Sequence, residues 1–246
     1  APTCLSAAAF YIMLAMFCFA SINAATLLLA AAAEQLLPAY RTHVTTVPLF
    51  GPCPTLAVWS VPVAVTVTVA WAFLRHARGA WVVQDALGVS LMLLLLRTLR
   101  LPNAKVACIL LPLAFFYDVF WVFLSPYLFG GTSVMVEVAT GGPVHEPLPM
   151  LLKVPRFSHH GVGGYSMLGY GDVILPGLLV AYTRRLDLDL GLAGLQGYFA
   201  PSVVGYGCGL LLTYAALAFS WFGDQGQPAL LYLVPCTLGV VMALGA

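Results

Sequence analysis

Two acidic residues lie inside long apolar stretches of the chain, where an ionisable side chain requires an explanation. Asp118 stands in LAFFYDVFWVFLSP and Asp172 in SMLGYGDVILPG, and neither has a basic residue close by in sequence. A carboxylate in the middle of a membrane span costs about 2.5–3.5 kcal/mol on insertion scales, so both acids are candidates for function. Two carboxyl groups that share one proton can hydrolyse an amide, one activating water and the other protonating the carbonyl. We therefore predict that Asp118 and Asp172 form a catalytic pair.

The letters GYGD at 169–172 also resemble the end of a potassium-channel selectivity filter. A filter of the TVGYG type needs Thr and Val ahead of its glycines, whereas Met167 and Leu168 occupy those positions here. A short pore helix should precede the filter, but the preceding KVPRFSHHGVGG contains a proline and several glycines, which oppose helix formation. The neighbours of GYGD therefore exclude a filter.

The composition defines the elements that must position the two acids. Hydrophobic residues make up 61% of the chain and charged residues only 8%, which indicates an all-α polytopic membrane protein. A span needs roughly 20 mostly apolar residues. Seven stretches meet this condition: 6–31, 55–74, 81–97, 105–125, 165–183, 196–220 and 228–246. The net charge of +1 gives no indication of a nucleic-acid partner.

Glycines and prolines surround the second acid and begin the last span. Gly169 and Gly171 carry no side chain, so another helix or a substrate backbone can approach Asp172 closely. Pro176 has no N–H for the carbonyl of Asp172, and we expect the helix to loosen there. Pro228 is predicted in the first turn of the last span, so that this helix start presents free N–H groups to the site.

We place the other acids and the histidines in structural, loop or surface positions. Asp85 follows Gln84 near the start of the third span, and we predict a structural or interfacial role for it. The histidines lie in loops or at span edges and no HExxH motif is present, so we expect neither metal nor cofactor. Six further acids are assigned to solvated surface: Glu34, Glu137, Glu146, Asp187, Asp189 and Asp224.

A long loop at 126–164 separates the two spans that carry Asp118 and Asp172. Six basic residues on one side of the spans against four on the other place this loop in the lumen. Within the loop, LPMLLKVPRF at 148–157 is interrupted by Pro155. We predict that it is extended and pairs either with itself or with a substrate backbone, because strand addition satisfies the backbone groups of an unwound peptide.

Three motifs together resemble the signal peptide peptidase and signal peptide peptidase-like family, the presenilin-related GxGD aspartyl proteases. They are FYDVFWVF at 116–123, LGYGDVILPGLLVAY at 168–182 and GQPALLYLVPCTLG at 226–239, in the family's order. The stretch WVVQDALGVSLMLLLLRTLRLPN at 81–103 is also similar. The amino-acid sequences of the second and third motifs favour the peptidase-like branch.

The resemblance implies a presenilin-like fold of nine spans, so we expect that N-terminal spans precede the seven visible ones. It implies that 1–246 is one transmembrane protease domain with Asp118 and Asp172 catalytic. Pro228, Ala229 and Leu230 would shape the site, and Tyr117 would neighbour the first acid. It further implies cleavage within type II membrane segments or signal-peptide remnants, in an endomembrane compartment (endoplasmic reticulum, Golgi, endosome or lysosome). A homo-oligomer is compatible with it.

A different class of function uses the same acids. Asp85, Asp118 and Asp172 could mark the ion pathway of a transporter or proton relay, since acids inside membrane spans also serve that purpose. Such proteins are often built from two repeats with paired broken helices. The two halves of this sequence do not correspond in that way, so the protease hypothesis is preferred.

Overall fold

The computed structural model describes residues 2–38, 43–47, 51–77, 79–124, 148–158, 161–192, 194–219, 221 and 227–245. Within these ranges the chain forms seven α-helices: α1 (Pro2–Leu36), α2 (Thr55–Leu74), α3 (Ala80–Thr98), α4 (Ala104–Val119), α5 (Tyr170–Leu190), α6 (Phe199–Ala218) and α7 (Leu230–Gly245). Four strands accompany them: β1 (Val44–Val47), β2 (Gly51–Pro54), β3 (Leu151–Ser158) and β4 (Gly161–Gly169). A π-helical segment, Phe120–Leu124, continues α4.

Five helical segments are long and apolar enough to cross a membrane: Ala8–Leu36, Thr55–Leu74, Ala80–Thr98, Ala104–Leu124 and Phe199–Ala218. Helix α7 is also apolar but shorter. Large hydrophobic side chains are exposed along these helices, which suits a hydrocarbon solvent. The prediction of an all-α polytopic membrane protein is confirmed.

The predicted fifth span, 165–183, is wrong at both ends. Residues 165–169 belong to strand β4, and helix α5 begins only at Tyr170 and continues to Leu190. The stretch is apolar, but the residues up to Gly169 form β4, pair with β3 and therefore remain extended. Asp172 consequently lies in the first turn of a helix, not in its middle.

The first of two compact units comprises residues 1–95 and 149–167. In this unit α1 packs along α2, and Phe17, which is only 1% exposed, contacts the ring of Trp71 at a centroid distance of 5.5 Å. Strands β1 and β2 form an antiparallel hairpin between these helices. The hydroxyl groups of Thr45 and Thr55 lie 2.8 Å apart and link the hairpin to the start of α2.

The second unit comprises residues 96–148 and 168–246. Its core is formed by α4, α5 and α7 through Leu101, Ala107, Leu111, Leu178, Leu179, Leu230 and Val234. Helix α6 is joined to α5 by a 2.9 Å hydrogen bond between the hydroxyls of Thr183 and Ser202. It is joined to α7 through Gly205 and Gly209, where the two backbones approach closely.

The predicted extended segment at 148–157 is confirmed in its described part. Residues 151–158 form β3, which pairs with β4, so the segment pairs with the chain itself. Because only residues 159–160 separate the two strands, their pairing is that of an antiparallel hairpin. The rest of the predicted loop, 126–147, lies outside the described residues.

Asp187 does not lie at a solvated surface as predicted, for its side chain is 2% exposed. Its carboxylate accepts hydrogen bonds from the backbone N–H groups of Tyr198 and Phe199, at 2.8 and 2.9 Å. These donors lie at the start of α6 and have no partner within that helix. The sequence suggested surface because Asp187 neighbours arginines, and the capping role depends on a chain reversal that composition does not reveal.

Candidate active site

Asp118 lies on the buried face of α4, which also carries Ala107 and Leu111. Its side chain is 4% exposed, and its Oδ2 accepts a long hydrogen bond of 3.4 Å from the backbone N–H of Leu230. Immediately beyond Val119 the helix changes to π geometry over Phe120–Leu124. Such single-turn π segments occur often at functional sites, since they rotate the following side chains.

Asp172 lies in the first turn of α5, directly after the end of β4. A backbone hydrogen bond from Gly169 reaches its carboxyl group. Gly169 itself is extended, with φ −66° and ψ 141°, as expected of a residue that precedes a helix. An acid in the first helical turn is stabilised by the helix dipole, so this position suits a carboxylate.

The structure brings the two acids together within the second unit. The charges of the Asp118 and Asp172 carboxyl groups interact electrostatically, although the residues come from separate helices. Tyr206 of α6 is half-buried, and its phenol lies within electrostatic range of Asp172. Sequence reasoning missed Tyr206. The available signal was a phenol in an apolar span, between Gly205 and Gly209, because a buried tyrosine hydroxyl needs a polar neighbour.

The predicted segment Pro228–Ala229–Leu230 lies beside Asp118 and is buried throughout. Helix α7 begins at Leu230, two residues later than the predicted first turn at Pro228. The carbonyls of Pro228 and Ala229 accept from Leu231 and Tyr232, at 3.3 and 3.2 Å, so this turn already resembles a helix. The start of this helix lies against Asp118, and Leu230 provides the N–H.

Tyr117 and Gly171 are not packed against the two acids. The Tyr117 side chain is 63% exposed, away from the buried face of α4, and its ring contacts Trp121 at 6.0 Å. A methyl group placed on Gly171 would meet no atom within 4 Å, whereas one on Gly169 would lie 3.2 Å from Asp172 Oδ2. Gly169 thus leaves room for the acid itself, and the space beside Gly171 is open.

We expect the two glycines to respond differently to Ala. Gly169→Ala should displace the Asp172 carboxylate by a few tenths of an ångström and lower kcat by about 10- to 100-fold, because small displacements of a reacting group are costly. Gly171→Ala should leave kcat intact and stabilise the helix by up to about 1 kcal/mol. Its methyl group would enter the open space, so KM should rise. Steady-state kinetics on both variants measure this contrast, and equal effects on kcat would contradict it.

Comparison with known proteins identifies the family. The family model described as signal peptide peptidase matches residues 3–246. Signal peptide peptidase-like 5 of Oryza sativa subsp. japonica is 42% identical over 235 residues, covering 95% of this chain and 43% of that protein. Signal peptide peptidase-like 3 of Arabidopsis thaliana is 47% identical over 199 residues, 80% of this chain and 36% of that protein. Signal peptide peptidase-like 2B of Rattus norvegicus is 42% identical over 239 residues, which cover 93% of this chain and 41% of that protein.

No solved structure matches the chain. These matches first define the class of the chain: it is a multi-pass membrane protein from a family of intramembrane proteases. The chain belongs to the signal peptide peptidase family, as its three motifs indicated. It spans about two-fifths of the length of the curated relatives it matches.

Proposed function

We propose that this chain forms the catalytic part of an intramembrane aspartyl protease of the GxGD type, with Asp118 and Asp172 as the catalytic pair. The observation that carries the proposal is the electrostatic interaction between two carboxyl groups that come from α4 and α5 of the same unit. The backbone N–H of Leu230 holds Asp118 from a third helix. A buried acid is costly in a membrane protein. One shared reaction therefore explains two interacting acids better than two separate structural roles do.

The reaction follows from one shared proton. The ionised carboxylate takes a proton from a water molecule, whose oxygen then attacks the scissile carbonyl carbon. The protonated carboxyl group donates its proton to the carbonyl oxygen, which gives a tetrahedral gem-diol. When this intermediate collapses, the C–N bond breaks and the carboxyl group that took the proton from water gives it to the amide nitrogen. A hydroxyl group of the gem-diol returns a proton to the other carboxylate as the product carboxyl group forms, so the pair again holds one proton.

The proposed substrates are transmembrane segments of type II membrane proteins, or the remnants of signal peptides. A helical peptide bond is hydrogen-bonded within its own segment, so it must unwind before water and two acids can reach it. Strand addition to the β3–β4 hairpin would satisfy the backbone groups that unwinding frees.

The location and assembly of the whole protein are part of the same proposal. Signal-peptide remnants and type II segments are found in the endomembrane system, so we propose that the protein acts there, in the endoplasmic reticulum, Golgi, endosome or lysosome. A homo-oligomer is compatible with the large hydrophobic side chains exposed along the helices, such as Phe19, Trp59 and Phe73.

The decisive experiment is reconstitution of the full-length protein in lipid vesicles with a peptide that carries a type II transmembrane segment and a label at each end. We expect fragments whose new termini lie inside the hydrophobic segment, as identified by mass spectrometry. A proton or ion flux across the same vesicles without any fragments would instead support the transporter hypothesis. Absence of intramembrane cuts in protein that is shown to be folded would overturn the proposal.

A further inference from the structure

An open groove lies between α4 and α7 within the second unit, with a cavity volume of about 340 Å³. This volume is at the lower end of the range for small-molecule sites, about 300–1,000 Å³. The walls are apolar and include Pro112, Phe115 and Phe116 of α4 and Pro235, Gly239 and Met242 of α7. The groove therefore suits a hydrocarbon chain.

The sequences of the two helices explain the groove. Pro112 and Pro235 each lie inside a helix, where a proline has no N–H to donate and its ring clashes with the preceding turn, so the helix bends. A methyl group on Gly239 would meet no atom within 4 Å, so the space beside this residue is open. At one end, the Cys108 thiol donates a weak hydrogen bond of 3.4 Å to Met242 Sδ and joins the helices.

A cation lies at the Cys108 end of the groove. Lys105 is one turn before Cys108 on α4. Together with Pro112 and Phe116, these residues follow the spacing i, i+3, i+7 and i+11, which places them on one face of the helix. An apolar groove and a positive charge are therefore aligned along the same face of α4.

Lys105 belongs to a group of three exposed cations in the second unit, with Arg97 and Arg100. Within the described ranges, none of the three forms a hydrogen bond or an ion pair with another residue. They lie on the more basic side of the spans, which is predicted to face the cytosol. The cytoplasmic leaflet is rich in anionic lipids, and basic pockets at this end of membrane helices bind their head groups.

We propose that the groove between α4 and α7 binds one anionic phospholipid, with an acyl chain between the helices and the phosphate group on Lys105. Arg97 and Arg100 add positive charge beside it. A membrane helix of another protein could cover the groove but would leave the three cations without a partner. A phospholipid with a negative head group matches both the apolar walls and the charges. This inference concerns binding and does not depend on the proposed protease function.

The test uses the full-length protein in phosphatidylcholine vesicles with a trace of phosphatidylserine that carries a photoreactive group in its acyl chain. We expect crosslinks, mapped by mass spectrometry, to concentrate on Phe115, Phe116 and Met242. Unlabelled phosphatidylserine should compete and additional phosphatidylcholine should not. Lys105→Gln should raise the half-saturating fraction of phosphatidylserine about fivefold, the contribution of one lysine near an anionic surface, whereas Lys105→Arg should retain the wild-type value. Gly239→Leu should fill the groove and remove the crosslinks at the two phenylalanines.

Two matched controls make the same chemical changes away from the groove. Arg184→Gln removes a cation on the same side of the spans, but the Arg184 guanidinium lies over the ring of Phe199 of α6, at 5.4 Å from its centroid. Gly207→Leu adds a side chain to α6, where a methyl group would meet no atom within 4 Å. Both variants should crosslink like the wild type.

Three results would overturn the proposal. The first is an even spread of crosslinks over the exposed helix faces, and the second is equal labelling by a phosphatidylcholine probe. The third is displacement of the probe by a transmembrane peptide and not by phosphatidylserine, which would mean that a helix occupies the groove. Thermal unfolding shows which variants are folded, and if Gly239→Leu is not, the contrast between Lys105→Gln and Arg184→Gln decides.

Discussion

Replacement of either Asp118 or Asp172 with Asn is expected to abolish intramembrane cleavage, and replacement of both is expected to do no further harm. Asn keeps the size of the side chain but cannot share a proton, so neither water activation nor protonation of the carbonyl can proceed. Groups that act as one unit show strongly non-additive losses. We expect a fall of at least about 10³-fold for each single variant and the same residual rate for the double variant. Initial rates of product formation from the labelled peptide measure all three.

A matched control separates this effect from a general sensitivity to lost acids. Asp189 is an exposed acid on the same helix as Asp172, and Asp189→Asn should cleave at the wild-type rate. Thermal unfolding of each variant shows whether the bundle remains intact. Two partly active single variants whose losses multiply in the double variant would mean that the acids have independent roles, which contradicts a shared proton.

The sequence predicted those parts of the fold that depend on hydropathy alone. The first four spans were placed within a few residues, because a long apolar run can satisfy its backbone in lipid only as a helix. Asp118 was identified for the same reason, since a lone carboxylate in such a run is costly. The helix start beside it was predicted from Pro228, and Leu230 supplies the N–H to Asp118.

Features that depend on tertiary hydrogen bonds could not be predicted in this way. The predicted fifth span wrongly included the end of β4. Residues 161–169 are a strand because they pair with β3, and hydropathy does not reveal that pairing. Asp187 was taken for a surface residue because its partners, the N–H groups of Tyr198 and Phe199, meet it only after the chain reverses. Tyr206 was missed because its proximity to Asp172 arises from the packing of α6 against α5.

Gly205→Ala is expected to impair cleavage although Gly205 is not part of the pair. A methyl group on Gly205 would collide with the backbone carbonyl oxygen of Cys236 and lie 3.2 Å from Val240 Cγ2. Helix α7 would have to move away from α6, and α7 begins with the N–H that holds Asp118. We expect a loss of about 1–3 kcal/mol in stability, as for other overpacked interfaces. In kcat we expect a fall of about 10- to 100-fold.

Gly207→Ala is the matched control for this prediction. Gly207 lies on the same helix, and a methyl group there would meet no atom within 4 Å. The variant should retain the wild-type kcat and gain a little stability from the better helix former. Thermal unfolding and single-turnover rates on both variants test the contrast, and comparable losses in the two would contradict it.

The double variant Gly205→Ala/Val240→Ala distinguishes a side-chain collision from a displacement of the helix. Val240→Ala removes the Cγ2 atom that the new methyl group would meet, but it leaves the Cys236 carbonyl in place. A backbone atom cannot rotate away as a side chain can, so the second substitution should restore little of the lost kcat. If it restored full activity, the carbonyl contact would not limit the approach of α6 and α7. The placement of the Leu230 N–H beside Asp118 would then not depend on Gly205.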